Sequence, residues 1–247
     1  MTRARKGVEE VGSGIRRLSR GICNFYLVED GGSFVVVDAG TPKDWSLLAA
    51  AIGELRSLDA VLLSHAHPDH TGFAERARAE AGATVSVHEA DAAAARTGKT
   101  GKNDGSVSKY LFRVEFYRTA LSLARRGGAK IVPIAEVSTF ADGDVIDVPG
   151  RPRAIHAPGH TPGSAALFFE GLGALLTGDV LVTHNALTGR GGPQIMPSGL
   201  NADTGLALRS LDALAGIEAA TLLPGHGVPW TDGVGEAIRL AKQAGPS

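Results

Sequence analysis

Five times in 247 residues, an apolar run ends in a turn of small residues that carries a histidine or an aspartate. The runs are Val35-Val36-Val37-Asp38, Val61-Leu62-Leu63-Ser64-His65, Ala157-Pro158-Gly159-His160, Leu175-Leu176-Thr177-Gly178-Asp179 and Leu222-Leu223-Pro224-Gly225-His226. Short apolar runs bounded by turn residues read as buried strands. Strand ends are also where sheet-based enzymes present reactive side chains on a rigid scaffold. The pattern predicts five loops converging on one edge.

The rest of the chain fills in that scaffold. Its 33 glycines punctuate short apolar segments, as expected of strands joined by tight turns. Tyr26-Leu27-Val28 and Phe34 to Val37 flank Glu29-Asp30-Gly31-Gly32, a hairpin signal. Further strands are predicted over 59–63, 83–87, 153–156, 165–169, 174–177 and 221–223. Helices are predicted over 44–56, 69–80, 106–126, 201–214 and 233–243, an alternation that lays helices over a sheet. In the third of these, Val107, Tyr110, Leu111, Val114, Tyr117 and Leu121 fall at three- and four-residue intervals, so one stripe is expected to face protein or ligand. No short-period repeat and no linker divides the chain, which is read as a single domain over residues 11–243.

Composition removes several function classes. With 43% hydrophobic residues and a net charge of −1, the whole molecule has no electrostatic excess to hold it on nucleic acid or an anionic membrane. Arg3, Arg5, Lys6, Arg16, Arg17 and Arg20 bias the start positively, and residues 1–10 are read as a mobile basic terminus. No apolar run follows these charges or approaches the ~18 residues of a membrane span, so a cytoplasmic protein without membrane association is expected. Cys23 is the only cysteine, which excludes an intrachain disulfide and multi-cysteine zinc sites. Any metal must be held by nitrogen and oxygen.

The densest donor group is His65-Ala66-His67-Pro68-Asp69-His70, three of the eight histidines of the chain within six residues. Pro68 biases His67 away from the helical region, so 64–67 should be extended and point His65 and His67 to the same side. Asp69 and His70 follow the proline, where a helix can start, and take a new direction suited to a second ion. A carboxylate in a first helical turn is also favoured by the helix dipole. The helical His-Glu-x-x-His pattern of thermolysin-like enzymes is absent.

At this point the sequence resembles the metallo-β-lactamase fold superfamily. The resemblance rests on Val37-Asp38-Ala39-Gly40, Ser64 to Gly72, Pro158-Gly159-His160-Thr161-Pro162-Gly163-Ser164, Thr177-Gly178-Asp179 and Pro224-Gly225-His226-Gly227. It implies an α/β protein with a four-layer αββα sandwich and ligands at one edge between two sheets. It further implies His65, His67 and His160 on one metal, Asp69, His70 and His226 on a second, and Asp179 bridging both. Asp38 matches a supporting position in the family and equally fits a simple turn. His88 and His156 are read as packed or supporting groups, and His184 is left without a role.

The expected chemistry is hydrolysis of an ester, thioester or lactone by a hydroxide bridging two zinc ions, with Fe or Mn as other metals of the site. Asp69 is assigned to proton transfer as well as to metal. Residues 97–140 are expected to form a helical cap, with Phe112, Phe116 and Tyr117 offering an apolar acyl or aromatic substrate a pocket, or else packing on the core or a homodimer partner. The short stretch after His226 argues against hydroxyacylglutathione hydrolysis, and the missing export signal against a secreted β-lactamase. No tyrosine follows Asp179 in Val180-Leu181-Val182-Thr183-His184, where acyl-homoserine lactonases carry one. The rival readings are an Fe(II) sulfur dioxygenase using His65, His160 and Asp179, promiscuous β-lactam hydrolysis, and a non-catalytic small-molecule binder.

Overall fold

The structure, a computed structural model, describes residues 7–247. The first half lays down β1 (Val8–Gly12), β2 (Ile15–Ser19), β3 (Asn24–Asp30), β4 (Ser33–Val37), α1 (Trp45–Ile52), β5 (Leu58–Leu63), α2 (Ala74–Ala81), β6 (Thr84–His88) and α3 (Ala92–Thr97). Then come α4 (Val114–Arg126), β7 (Ser138–Phe140), β8 (Arg153–His156), β9 (Ala165–Phe169), β10 (Ala174–Gly178), β11 (Val182–His184) and β12 (Gly191–Gln194). The chain closes with α5 (Thr204–Ser210), β13 (Thr221–Pro224) and α6 (Val234–Ala244).

Strands β1 to β7 form one sheet in sequence order, antiparallel as far as β4 and parallel from β4 to β7. A second sheet runs β13-β10-β9-β8, and β11 pairs with β12 as a separate ribbon. The two-residue period of each strand sorts its side chains between layers. Phe25 and Leu27 of β3 pack with Trp45 and Leu48 of α1 and Ala74 and Ala77 of α2, while Tyr26 and Val28 face the other sheet. On the second sheet, Phe168, Leu175 and Leu222 meet Ala207, Ala237, Ile238 and Ala241 of α5 and α6, while Leu167, Phe169, Leu176 and Leu223 face inward. Helix, sheet, sheet and helix thus stack in the αββα order. Full burial of each large inward side chain is worth roughly 1.5–3 kcal/mol, and a one-residue slip would turn a strand's whole inward set out.

This topology places the five turns. β4 and β5 run parallel, as do β10 and β13, so Asp38, Ser64-His65, Asp179 and Gly225-His226 all follow strand ends of like direction. β8 lies two antiparallel pairings from β10 and therefore ends at the same edge, delivering His160. Ala165 N donates to Ser64 O at 2.9 Å and Asn24 N to Gly225 O at 2.7 Å, which ties the two sheets together there.

Several sequence expectations shift. Residues 1–6, with Arg3, Arg5 and Lys6, lie outside the described residues, but the chain is already a strand from Val8. Arg16 and Arg17 are not solvated terminal charges: they sit in β2 and pair with Glu29 and Glu9. The helix expected over 106–126 is split into a 3-10 turn at Val107–Tyr110 and α4, with Arg113 extended between them. Buried Tyr110, whose hydroxyl donates to Ser247 O at 2.7 Å, holds the first piece in place. Of the expected stripe, Tyr110 is buried and Val107 lines a cavity, while Leu111, Val114, Tyr117 and Leu121 face outward. The segment leaving the sheet ends before β7, because Ser138–Phe140 pairs with β6.

Candidate metal centre

His65 and His67 follow β5 through a bend at Ser64-His65, and their ring centroids lie 4.8 Å apart. The helical start expected at Asp69 does not form. His70 N and Thr71 N both donate to His67 O at 3.0 Å in a tight turn, and α2 begins only at Ala74. Gly72 lies against the Gly40 carbonyl and Thr41, where any Cβ would clash, and Phe73 is buried against Phe25 and Trp45. These contacts hold the chain in the turn, so no helix dipole supports the Asp69 carboxylate.

Three donor groups assemble at this edge: His65, His67 and His160; His65, His70 and Asp179; and Asp69, His70 and His226. All seven residues expected to hold metal are therefore brought together. In the first group, His67 Nδ1 lies 2.8 Å and His65 Nε2 3.2 Å from His160 Nε2. In the third, His226 Nε2 lies 3.4 Å from His70 Nε2 and 3.6 Å from Asp69 Oδ2. Asp179 stands between them, its oxygens 3.2 Å from His226, 3.4 Å from His160, 3.5 Å from His70 and 3.9 Å from His65.

In four of the five histidines the other ring nitrogen is occupied by protein. His65 Nδ1 lies 3.0 Å from Ser64 Oγ, His70 Nδ1 2.8 Å from Asp38 Oδ2, His160 Nδ1 3.0 Å from Asn201 Oδ1 and His226 Nδ1 2.7 Å from Ile22 O. Such contacts fix the ring orientation of a metal ligand and leave the opposite nitrogen to donate. Asp38, at φ 63°, also accepts from Ser64 N and Oγ, which makes it a supporting residue. From the sequence, neither Asp91 nor Asn201 is given a place at the metal site. Buried Asp91 accepts from Ala66 N, Thr161 Oγ1 and Gly163 N and so locks the His65–His67 loop to the His160 loop. Its signal was present: β6 is one more parallel strand ending at this edge. Asn201 precedes α5, whose cap is Asp203, accepting from Leu206 N.

Burial and charge set the protonation states. Desolvation and the neighbouring imidazoles push His65 well below its ordinary value and hold His160 at about 3; burial likewise lowers His67. Burial opposes the charged form of His70 too, but the carboxylates of Asp179, Asp38 and Asp69 outweigh it and lift the group to about 10. The Asp179 carboxyl, despite its burial, is held well below the usual range by His226 and His70. Burial thus favours the neutral form of all three imidazoles of the first group, the form in which a histidine binds a metal ion.

That arrangement fits divalent cations. Ring nitrogens of three buried histidines converge at 2.8 and 3.2 Å, and Asp179 Oδ1 is buried without a hydrogen-bond partner among the described residues. A Cβ at Gly225 would run into Asp179 and His70, so the chain keeps this volume clear. Imidazole nitrogen and carboxylate oxygen without thiolate are the donors of zinc, iron or manganese sites.

A cavity of about 240 Å³ opens over His67, Asp69, His160, Asp179 and His226. Its walls are mostly apolar, among them Phe116, Leu123, Met196 and Leu200, and its size suits a small molecule rather than a polymer. Of the three aromatics expected there, Phe116 lines it, while Phe112 is 97% and Tyr117 56% exposed on the outer side. His88 stacks on His156 at 3.9 Å, away from the donor groups. His184 lies in a neighbouring depression with Glu115 and Arg118.

The family model of the metallo-beta-lactamase superfamily matches residues 18–226. Among curated proteins, the chain is 28% identical to "Probable metallo-hydrolase YflN" of Bacillus subtilis (strain 168), over 94% of this chain and 90% of that protein. It is 32% identical to a hydroxyacylglutathione hydrolase of Anaeromyxobacter dehalogenans (strain 2CP-C), over 63% of this chain and 45% of that protein. Among solved structures, a metallo-beta-lactamase family protein from Thermus thermophilus superposes with a TM-score of 0.67 at 26% identity, covering 94% of this chain and 79% of that one. With the donor groups at the shared sheet edge, these matches lead to one conclusion: the chain belongs to the metallo-β-lactamase superfamily and is a metal-dependent hydrolase.

Proposed function

We propose that the protein is a dinuclear zinc hydrolase acting on an ester, thioester or lactone whose acyl or aromatic part is apolar. The observation that carries this reading is the position of Asp179, within 3.9 Å of histidines from both donor groups, beneath an apolar cavity. His65, His67 and His160 would hold one ion and Asp69, His70 and His226 the other, with Asp179 shared. Bound divalent ions supply a water activated at neutral pH and polarise a carbonyl oxygen.

The protein's own part follows from its side chains. Asp38, Asn201 and the Ile22 carbonyl hold three imidazoles in one orientation each, so the site needs no rearrangement when substrate enters. Asp69, 15% exposed and lining the cavity, presents its carboxylate at the cavity floor to carry a proton toward a leaving oxygen or sulfur. Phe116 and Leu123 keep water from the apolar part of the substrate and fix its direction. The relative named hydroxyacylglutathione hydrolase supports cleavage of an acyl bond.

Metal content followed by a substrate panel tests the reading. About two zinc ions per chain, with turnover on lactones, thioesters or esters that Asp179→Ala abolishes, is the expected result. One iron per chain with oxygen uptake, or full turnover in the Ala variant, overturns it.

A further inference from the structure

The segment between α3 and β7 has two working sides. One side of α4 lines the cavity through Phe116, Thr119, Ala120 and Leu123. The other presents Val114, Tyr117 and Leu121 at 60%, 56% and 50% exposure, continued on the preceding turn by Leu111 at 44% and Phe112 at 97%. No residue of α4 is buried. An exposed apolar strip of this extent marks a contact surface.

Charge identifies what that surface fits. Residues 98–131 hold eight basic side chains and two acidic ones, Asp104 and Glu115, in a chain whose overall net charge is −1. Both acids are engaged: Glu115 with Arg118 at 3.1 Å, and Asp104 with the Thr204 backbone N–H at 3.1 Å. Arg113, at the start of α4, and Arg125, within it, have no acidic partner among the described residues, whereas Lys99 and Lys102 line a separate depression beside His67 and His160. Pairing α4 with a second copy would bring Arg113, Arg118 and Arg125 against the same residues with no free acid to offset them. An anionic surface with an apolar interior complements both features: aromatic and aliphatic side chains enter the boundary between headgroups and chains while the arginines stay at the headgroups.

We propose that the outward face of α4 and the turn before it dock the protein on an anionic lipid surface, with Phe112, Tyr117 and Leu121 inserted and Arg113, Arg118 and Arg125 against the headgroups. This departs from the expectation set by the overall charge, because opposite charges elsewhere in the chain cancel a segregated basic patch. Among the described residues no helix is long and apolar enough to cross a membrane, so the contact is peripheral. The docking stands apart from the hydrolytic reading and does not require turnover.

Cosedimentation of the full, metal-loaded chain with vesicles tests it. The protein is expected to pellet with phosphatidylcholine vesicles containing phosphatidylglycerol, to remain free with phosphatidylcholine alone, and to be released by salt. Arg113→Gln with Arg118→Gln and Arg125→Gln should weaken binding roughly a hundredfold. Phe112→Ser with Tyr117→Ser and Leu121→Ser, which retains every charge, should also lose it, and a tryptophan placed by Phe112→Trp should shift its emission to the blue on anionic vesicles only. Unchanged circular dichroism and metal content keep misfolding out of the comparison. No pelleting at low salt, equal binding to neutral vesicles, or retained binding in the serine variant overturns the proposal. So does a concentration-dependent dimer that the serine variant dissociates while vesicles are ignored.

Discussion

The carboxylate of Asp38, held at the end of β4 with φ 63°, stands 2.8 Å from Nδ1 of His70 and turns the Nε2 of that ring toward Asp179. Asparagine tolerates the same backbone conformation, so Asp38→Asn removes the anionic acceptor with little strain. Metal affinity at the Asp69, His70 and His226 group is expected to fall about 10- to 100-fold, with a smaller loss at the His65, His67 and His160 group, which Asp38 reaches only through Ser64 Oγ. Chelator competition followed by elemental analysis separates the two.

Gly225 is a space requirement. Its missing side chain leaves room for Asp179 and His70, so Gly225→Ala should reduce metal stoichiometry and turnover while the αββα fold persists. Circular dichroism alongside metal analysis checks this, and full metal loading in the alanine variant would contradict it.

Removing metal should cost stability as well as activity. If ligand is present at about a thousandfold over its dissociation constant, binding contributes roughly 4 kcal/mol to the folded state. For a chain of this size that corresponds to a fall in Tm of about 10 °C on chelation. Differential scanning calorimetry with and without chelator reads it, and added zinc should restore the original transition.

Phe116 separates acyl length from chemistry. Phe116→Ala enlarges the apolar wall of the cavity without touching a donor group. It should lower kcat/KM for long acyl substrates by about 10- to 100-fold, mainly through KM, and leave short acyl substrates within a fewfold. A uniform loss across chain lengths would instead report a structural role.

His88 gives the fold an acid-side weakness of its own. Burial and the stacked ring of His156 hold it below its ordinary value of 6.5, although Glu89, Asp91 and Asp142 oppose the shift. A histidine with a lowered folded value contributes its stability above the unfolded value and loses it as pH falls. Between roughly pH 7.5 and 5, the urea midpoint should therefore decline, and decline less steeply in His88→Phe than in the parent.

Much of the site was legible because metal ligands on strand-end turns leave a local signature. An apolar run, a small residue and a histidine or aspartate specify themselves over five residues, and Pro68 alone divides the His65–His70 cluster into two directions. Which layer each side of β3, β4 and β5 meets was not legible, because these apolar runs are buried on both faces. The partners of those ligands were not legible. Asn201 and the Ile22 carbonyl act on histidines 41 and 204 residues away, and no local pattern marks them; Asp91 holds the His65–His67 loop through Ala66 N, and only its place after a parallel strand hints at it.

The sequence by itself carried the candidate donor residues and the chemistry open to nitrogen and oxygen ligands, and the layer order through its resemblance to the family. Tertiary structure decided the rest. The turn at Asp69-His70 replaced an expected helix because Gly72 and Phe73 are packed against the loop after β4. The stripe on α4 faces solvent because Phe116, Ala120 and Leu123 on the other side meet the cavity. Periodicity tells how many sides of a helix are apolar, while only packing decides which of them the core covers. Asp38 likewise became a support for His70 through the pairing of β4 with β5, a contact between distant residues that no local pattern encodes.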